Sequence, residues 1–486
     1  MTSISSPVNR KKMVIISAYV DGESYGLLGP QMSATIIEEN TQYECIVIAV
    51  TREDDKSVLK GAINEVLSND DRVVGFSCLN GREDLFSFAK DLTEEGWFTI
   101  LAGPQADVDF IGEKDHFNYE HRFKGLSTHF SLALHGPAEQ AISLLNNINT
   151  EQMYETSGLI YRGKNGEIIK NPKKPWDEKF LNTIQWDNIY RLREGSLVKM
   201  EITTGQVLQQ IGCPYASHEL ELEIDYPVFL DNGRGLKVNI YSRGCSFCDV
   251  AVDKGFHGVL KIDTVIDQIK KLPEMLDGRK IPFELINENP LPGLPALLDA
   301  TIEQEIALSQ INLILRADWL VSSEKYLRIS LKKARQMRLV IILTSVGFES
   351  FNDLILKNLN KGTDLETNIK AIQLMRRLKK EFPFQFGYSK SDGAVHGFIH
   401  PTPWDSDEIM AGINKVISRY DLVYDILPPH SVPLIIHHAS ALGNVIREIE
   451  VREDVKYKRF DSVIGWWQMG DRFILDQGMK EGNYRH

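Results

Sequence analysis

Short apolar runs alternate with amphipathic stretches of helical period in two long blocks of this chain. Such alternation directs a sequence toward a parallel sheet covered by helices. In residues 13–150 the runs are Met13–Ala18, Cys45–Val50, Val73–Leu79, Phe98–Gly103 and His129–His135. Between them lie Gln31–Glu39, Lys56–Leu67, Arg82–Glu95 and Ala138–Leu145. Within the second of these stretches, Val58, Leu59, Ala62, Ile63, Val66 and Leu67 fall at helical spacing. Units of this length predict a doubly wound α/β sheet, which binds ligands beyond the carboxyl ends of its strands. From residue 197 to about 430 the alternation resumes. Here the runs are Leu236–Tyr241, Phe283–Ile286, Ile311–Leu315, Leu339–Thr344, Ala394–Ile399 and Leu422–Ile426, with helices expected at Thr264–Leu276, Glu324–Arg338 and Leu365–Lys380. These units suit a partial (β/α) barrel with functional residues at the strand carboxyl ends, although periodicity alone admits any α/β barrel.

With 486 residues the chain has room for two or three cores. The expected domains are a doubly wound unit over 1–150, a hairpin linker over 151–196, the barrel over 197–430 and a small α/β cap over 431–486. The linker reading rests on Leu159-Ile-Tyr-Arg162 and Glu167-Ile-Ile-Lys170 around Asn165-Gly166, a turn pair that favours hairpins. In the cap, His437-His438 and Trp466-Trp467 are expected to pack an interface. A net charge of −12 argues against a nucleic-acid surface, and the basic patches Arg10-Lys11-Lys12 and Arg376-Arg-Leu-Lys-Lys380 are short. No stretch reaches the roughly 18–20 apolar residues of a membrane span. The polar N-terminus is unlike a signal peptide, and five cysteines do not make a disulfide framework. A cytoplasmic protein is expected.

Arg243-Gly-Cys-Ser-Phe-Cys-Asp249 places two thiols at C-x-x-C spacing directly after an apolar run. A third, Cys213, stands upstream in Ile211-Gly-Cys-Pro-Tyr-Ala216. Thiols this close bind a metal or iron–sulfur cluster or act as a redox pair. Three thiolates suffice for a cubane cluster when substrate completes the fourth iron. Structural zinc needs four ligands, and the chain offers no second close pair beyond an isolated His257. A thioredoxin-like pair would open a helix, whereas Asp253-Lys-Gly-Phe-His-Gly258 reads as a loop. Cys45 and Cys78 sit in strand contexts and are read as buried small hydrophobes.

The arrangement resembles the radical S-adenosylmethionine (SAM) enzymes, and in particular those with a cobalamin-binding domain. Gly244-Cys-Ser-Phe-Cys248 matches the end of their C-x-x-x-C-x-x-C motif, including the aromatic Phe247. Its first cysteine is missing from the usual position, and Gly212-Cys-Pro-Tyr215 looks like the motif's beginning displaced by an insertion. The resemblance implies Cys213, Cys245 and Cys248 as ligands of a 4Fe-4S cluster. If Cys213 is inert, His218, Asp249 or water fills its place. Asn287-Glu288-Asn289 ends the second expected strand where relatives hold the amino-acid end of SAM. Arg316 matches their third-strand arginine. Gly347-Phe-Glu-Ser350 with Leu359-Asn-Lys-Gly362 matches their G-x-E-S and L-N-K-G stretches, which implies Glu349 beside SAM. Gly397-Phe-Ile399 matches the backbone edge for adenine.

In the N-terminal block, Asp21-Gly-Glu-Ser-Tyr-Gly26, Ser77-Cys-Leu79 and Ala102-Gly-Pro104 resemble the cobalamin pattern D-x-H-x-x-G, S-x-L, G-G. Glu23 takes the histidine's place, and the last motif is reduced to Ala102-Gly103. The resemblance implies cobalamin bound without a protein histidine on cobalt, lined by Asp21, Glu23, Gly26, Ser77, Leu79 and Gly103. On the residues alone, the same loops suit a domain that binds another nucleotide or none. With both cofactors in one chain, the resemblance implies reductive cleavage of SAM to a 5′-deoxyadenosyl radical. Methyl transfer to an unactivated carbon or phosphorus centre of a small-molecule substrate would follow, with electrons from a donor such as flavodoxin or ferredoxin. The alternatives are a radical rearrangement, oxidation or cyclisation, or a non-catalytic corrinoid sensor. No residue is assigned as a general acid or base.

Overall fold

The computed structural model describes residues 10–67, 71–77, 82–104, 106, 129–217, 219–249, 256–428, 431–460 and 463–474. Leu79, Cys78, His218 and the side chain of His257 lie outside the described residues. The chain divides into two compact units, Met1–Gly205 and Gln206–His486.

The first unit is built on strands β1 (Lys11–Ala18), β2 (Tyr43–Val50), β3 (Val73–Ser77), β4 (Phe98–Leu101) and β5 (Leu132–Leu134). Helices α1 (Leu28–Asn40), α2 (Lys56–Val66), α3 (Glu83–Glu94) and α4 (Gln140–Asn146) alternate with them. Helices α2 and α3 are amphipathic for the reason their sequence period suggests; in α2, Leu59, Ala62 and Ile63 are buried against the sheet. Asp55 caps that helix by accepting from the backbone N–H groups of Ser57 and Val58. All neighbouring pairs among β1 to β5 are parallel. Their order, β5-β4-β3-β1-β2, reverses direction between β1 and β3, which makes that gap the topological switch point.

Residues expected to form a linker extend this sheet. The hairpin β6 (Leu159–Arg162) and β7 (Ile168–Lys170) adds antiparallel to β5, with Gly166 turning at φ 85°. On the other edge, β8 (Ile189–Arg193) pairs parallel with β2, and β9 (Ser196–Lys199) pairs antiparallel with β8.

The second unit holds a sheet in the order β10 (Gly205–Leu208), β15 (Phe283–Ile286), β16 (Gln310–Arg316), β17 (Val340–Glu349) and β18 (Phe386–Gly387), parallel from β15 to β18. Strand β19 (Gly397–Phe398) pairs with the far end of β17, so the fifth barrel strand is interrupted. Leu298, Leu331 and Met375, from the helices Leu294–Glu303, Glu324–Met337 and Leu365–Glu381, are buried in the same core as Ile311, Leu313 and Leu343 of the sheet.

Two expected barrel strands are corrected. Leu236–Tyr241 lies in β13 (Lys237–Arg243), one arm of an antiparallel ribbon with β12 (Glu219–Asp225). Barrel strand one is the shorter β10. Leu422–Ile426 begins with a helical turn, Leu422–Asp425, and the sixth strand is reduced to a parallel bridge between Ile399 and Val432. A second small ribbon pairs β11 (Gln210–Gly212) with β14 (Phe256–Val259). After the barrel, β20 (Ile436–His437), β21 (Tyr457–Phe460), β22 (Val463–Met469) and β23 (Arg472–Phe473) form an antiparallel sheet, with the helix Ala441–Glu453 after β20. Trp466 is buried there and donates to the Leu434 carbonyl at 2.9 Å, while Trp467 stacks on Phe460.

Candidate functional site

The cysteines meet at the carboxyl end of the barrel sheet because the insertion between them folds back on itself. Cys213 follows β11, just beyond the first barrel strand, and the chain then runs out along β12 and returns along β13. The ribbon register pairs Glu219 with Arg243, so its two ends close beside each other. Gly244, at φ 73°, then packs on Ala216; a Cβ there would stand 3.3 Å from the Ala216 Cα. The Cys248 amide donates to the Cys245 carbonyl at 3.2 Å, closing the C-x-x-C turn. Cys213, Cys245 and Cys248 are partly exposed and none is in a disulfide. Burial, and then the Glu288 carboxylate, push the Cys213 thiol up, opposed by the amides of Tyr215 and Ala216; the Cys245 thiol adds to the rise.

Among the described residues no three His, Cys, Asp or Glu side chains converge on one ion-sized point. A cubane cluster does not ask for that, since each thiolate binds a different iron. The donor set therefore suits a cluster.

The L-N-K-G segment threads between the cysteine halves. Ser246 donates through its amide to the Leu359 carbonyl at 2.9 Å and through its hydroxyl to the Asn358 carbonyl at 3.0 Å. Lys361 is buried and pairs with Glu349 at 2.7 Å. Burial alone would depress the Lys361 ammonium, but Glu349 and the Cys245 thiol outweigh it and hold it above its ordinary value. Glu349 itself sits at φ 58° at the end of β17, and its carboxylate folds across two glycines. A Cβ on Gly347 would stand 2.7 Å from Glu349 Oε1, and one on Gly397 would stand 2.8 Å from Oε2. Both glycines are thus required by the carboxylate before any adenine is considered.

At the end of β15, Asn287 Nδ2 donates to Gln209 Oε1 at 2.8 Å and its Oδ1 accepts from the Asn289 amide. Asn289 Oδ1 is buried with no hydrogen-bond partner. An orphaned acceptor here fits a ligand ammonium. Glu288 is exposed, close enough to raise the Cys213 thiol. Phe247 is half-buried. His396, before β19, accepts from the Val346 amide at Nδ1 (3.0 Å) and reaches the Tyr388 carbonyl from Nε2 (2.7 Å), which fixes the Nε2–H tautomer. Burial pushes it down to about 4. The cap touches the site too: the Leu442 amide donates to the Ser246 carbonyl at 2.8 Å, and His437 Nδ1 lies 3.3 Å from Asp249 Oδ2.

In the first unit, Ser17 and Ser77 face each other in register at the ends of β1 and β3, the switch point itself. Both are buried, and Ser17 Oγ has no hydrogen-bond partner. Asp21 and Glu23 lie exposed on the loop after β1, where Gly22 turns at φ 81°. That loop is tied down by the Tyr19 hydroxyl donating to the Tyr25 carbonyl at 2.6 Å and by the Gly26 amide donating to Thr204 at 2.8 Å. Gly26 is small for a reason of packing, since a Cβ there would fall 2.4 Å from the Trp186 ring. Gly103, two residues beyond β4, turns at φ 75°. Small residues and an unpartnered hydroxyl at a switch point suit a group with a long polar tail such as cobalamin's nucleotide.

Tyr215, Asn360 and Lys361 were not singled out as site residues by sequence reasoning, although the L-N-K-G match contained two of them.

A doubly wound parallel sheet followed by an incomplete parallel barrel is the architecture of cobalamin-dependent radical SAM enzymes, and this chain has that fold. It is similar to the solved structure of the cobalamin-dependent SAM radical enzyme OxsB with aqua-cobalamin and SAM bound: TM-score 0.60, 12% identity, covering 94% of this chain and 64% of that one. The apo, selenomethionine-labelled OxsB structure matches over the same shares at 13% identity and TM-score 0.60. This chain therefore spans a little under two thirds of OxsB. No protein-family model matches the chain, and no curated protein matches it in sequence.

Proposed function

We infer that this chain is a cobalamin-dependent radical SAM enzyme, and that its reaction is methyl transfer to an unactivated carbon or phosphorus centre of a small molecule. The observation that carries the reading is the convergence of Cys213, Cys245, Arg316, Glu349 and Lys361 at the carboxyl end of one parallel sheet. Functional residues of such barrels gather at that end. Cys213, Cys245 and Cys248 would hold the 4Fe-4S cluster, with Glu288 and Asn289 toward the amino-acid end of SAM and Gly397 toward its adenine. Ser77 and Gly103, with the loop of Asp21 and Glu23, would hold cobalamin. When bound, the cluster supplies the electron that breaks a carbon–sulfur bond of SAM, and cobalamin carries the methyl group. The chain's own part is to orient these groups and exclude water, and the Glu349–Lys361 pair does so with charges that are already compensated.

The test is anaerobic reconstitution with iron, sulfide and cobalamin, followed by an assay of 5′-deoxyadenosine under reduction. About four irons per chain and product formation are expected, with both lost in Cys213→Ala. Product in wild type and variant alike would hand the third ligand position to another residue. Bound cobalamin without iron or product would establish a corrinoid-binding sensor instead.

A further inference from the structure

Arg316 ends β16 and is buried, with its guanidinium carbon 4.0 Å above the Tyr215 ring and 5.1 Å from that of Trp319. Nε donates to Asp318 Oδ1 at 3.0 Å and Nη2 to Asp318 Oδ2 at 3.4 Å. Nη2 also donates to the Lys361 carbonyl, and Nη1 to Cys245 Sγ at 3.7 Å. Four donations are thereby committed, which leaves a single Nη1 hydrogen. A SAM carboxylate would ordinarily take two parallel N–H donors from an arginine, and this one cannot offer them without giving up Asp318 or the Lys361 carbonyl.

What Arg316 does span is the gap in the cysteine motif. Tyr215, on which it stacks, belongs to the Cys213 half, and Cys245 begins the other. Asn360 makes the same crossing one layer away. Its Oδ1 accepts from the Tyr215 hydroxyl at 3.4 Å, and its Nδ2 donates to the Gly244 carbonyl at 2.7 Å. Gly362 keeps the space open: at φ 66°, a Cβ there would fall 2.5 Å from the Tyr215 hydroxyl.

We propose that Arg316 and Asn360 are positioning residues that clasp the two halves of the split cysteine set, and that Arg316 serves the Cys245 thiolate rather than the carboxylate of SAM. The proposal rests on the cluster reading given above. In an unbroken motif the chain itself keeps the first two cysteines within reach. Here residues 214–244 intervene, and cross-ties from β16 and the L-N-K-G turn take over that task. A guanidinium hydrogen-bonded to a ligand thiolate also favours the more negative, reduced cluster. Asp318 holds the fork in place while partly offsetting its charge.

The clasp is read first in the metal-free full chain, using dibromobimane to bridge neighbouring thiols and peptide mass spectrometry to map the bridges. A Cys213–Cys245 bridge is expected in the wild type and is expected to fall about tenfold in Arg316→Gln and in Asn360→Ala, the lower end of what losing an outer-shell partner costs in metal affinity. Should Arg316→Gln fail to fold, as judged by its thermal transition, Arg316→Lys replaces it: the charge stays, the fork and the stacking go, and the bridge is again expected to be lost. Equal bridging in wild type and folded variants overturns the clasp. In the iron-loaded protein, a reductive titration is expected to show Arg316→Gln about tenfold harder to reduce, a shift of about 59 mV for one electron. An unchanged potential overturns the assignment of Arg316 to the thiolate. The failure of the parent reading looks different, since the wild type would then bridge its thiols yet take up no iron.

Discussion

At the switch point of the first unit the site is built by subtraction, from serines, glycines and backbone, with Ser17 Oγ left without a partner. At the end of the barrel sheet it is built by addition, from Arg316, Lys361, Glu349 and Asp318 locked into mutual pairs. The first site should be vulnerable to added bulk and indifferent to charge, and the second should show the reverse. Low-dielectric surroundings explain the asymmetry. A buried charge that loses its partner bears a desolvation penalty that a buried methyl group never meets.

The sharpest way to break this contrast is to remove a thiolate. Cys245→Ala is expected to abolish iron uptake on reconstitution while leaving cobalamin binding, followed by its visible absorption, at the wild-type level. Loss of both would show that the two sites do not stand independently. Next in size, Lys361→Met strands the Glu349 carboxylate, whose side chain is only 13% exposed. The expected loss is about 3–5 kcal/mol in urea unfolding, with much of it recovered in Lys361→Met/Glu349→Gln. A loss below about 1 kcal/mol would make the barrel site as indifferent to charge as the sheet.

His396 gives a pH signature. Its folded value, pushed down to about 4, lies below the unfolded value of 6.5, so the unfolded chain binds the extra proton. Its contribution is complete above pH 6.5 and is lost as pH falls toward 4. About 3 kcal/mol is at stake. His396→Gln should flatten the melting profile between pH 6.5 and 4. The acid losses from Asp84 and Asp392, both held down to about 2, belong to a lower window. The smallest effect is expected from Gly26→Ala, which forces the Trp186 ring aside at about 1–3 kcal/mol. A double-mutant cycle with Trp186→Leu should recover it. If stability is unchanged and only cobalamin affinity falls, Gly26 serves the ligand and not the tryptophan.

The alternation of apolar runs made both parallel sheets legible, and the order of the short motifs pointed to the barrel end where the cysteines meet. What the sequence hid was partnership. Leu236–Tyr241 has the two-residue period of a strand, and it is one, but periodicity does not say whether its neighbour runs parallel or antiparallel. Strand β10, only Gly205–Leu208, is too short to stand out beside it. Leu422–Ile426 is apolar enough for either state, and the local chain settles on a helical turn. Lys361 and Glu349 are separated by a whole helix in sequence, Asp353–Asn358, so their pairing shows only in three dimensions. The clasp of Arg316 and Asn360 was equally invisible, because its meaning depends on a ribbon that no local rule places.

That ribbon has a consequence for how the protein matures. Lengthening a flexible loop costs only about 0.6 kcal/mol per doubling, so separating the first cysteine from the second is thermodynamically mild, and the seven paired positions of β12 and β13 cover it. The order of events changes more than the energy does. A contiguous motif gathers all three thiols in one short unfolded peptide, whereas here the Cys245–Cys248 pair gains Cys213 only after the excursion has zipped shut. On the cluster reading, the three-thiol set is therefore complete only in a chain whose ribbon has folded, and a nascent chain that ends before the return strand holds Cys213 alone of the three.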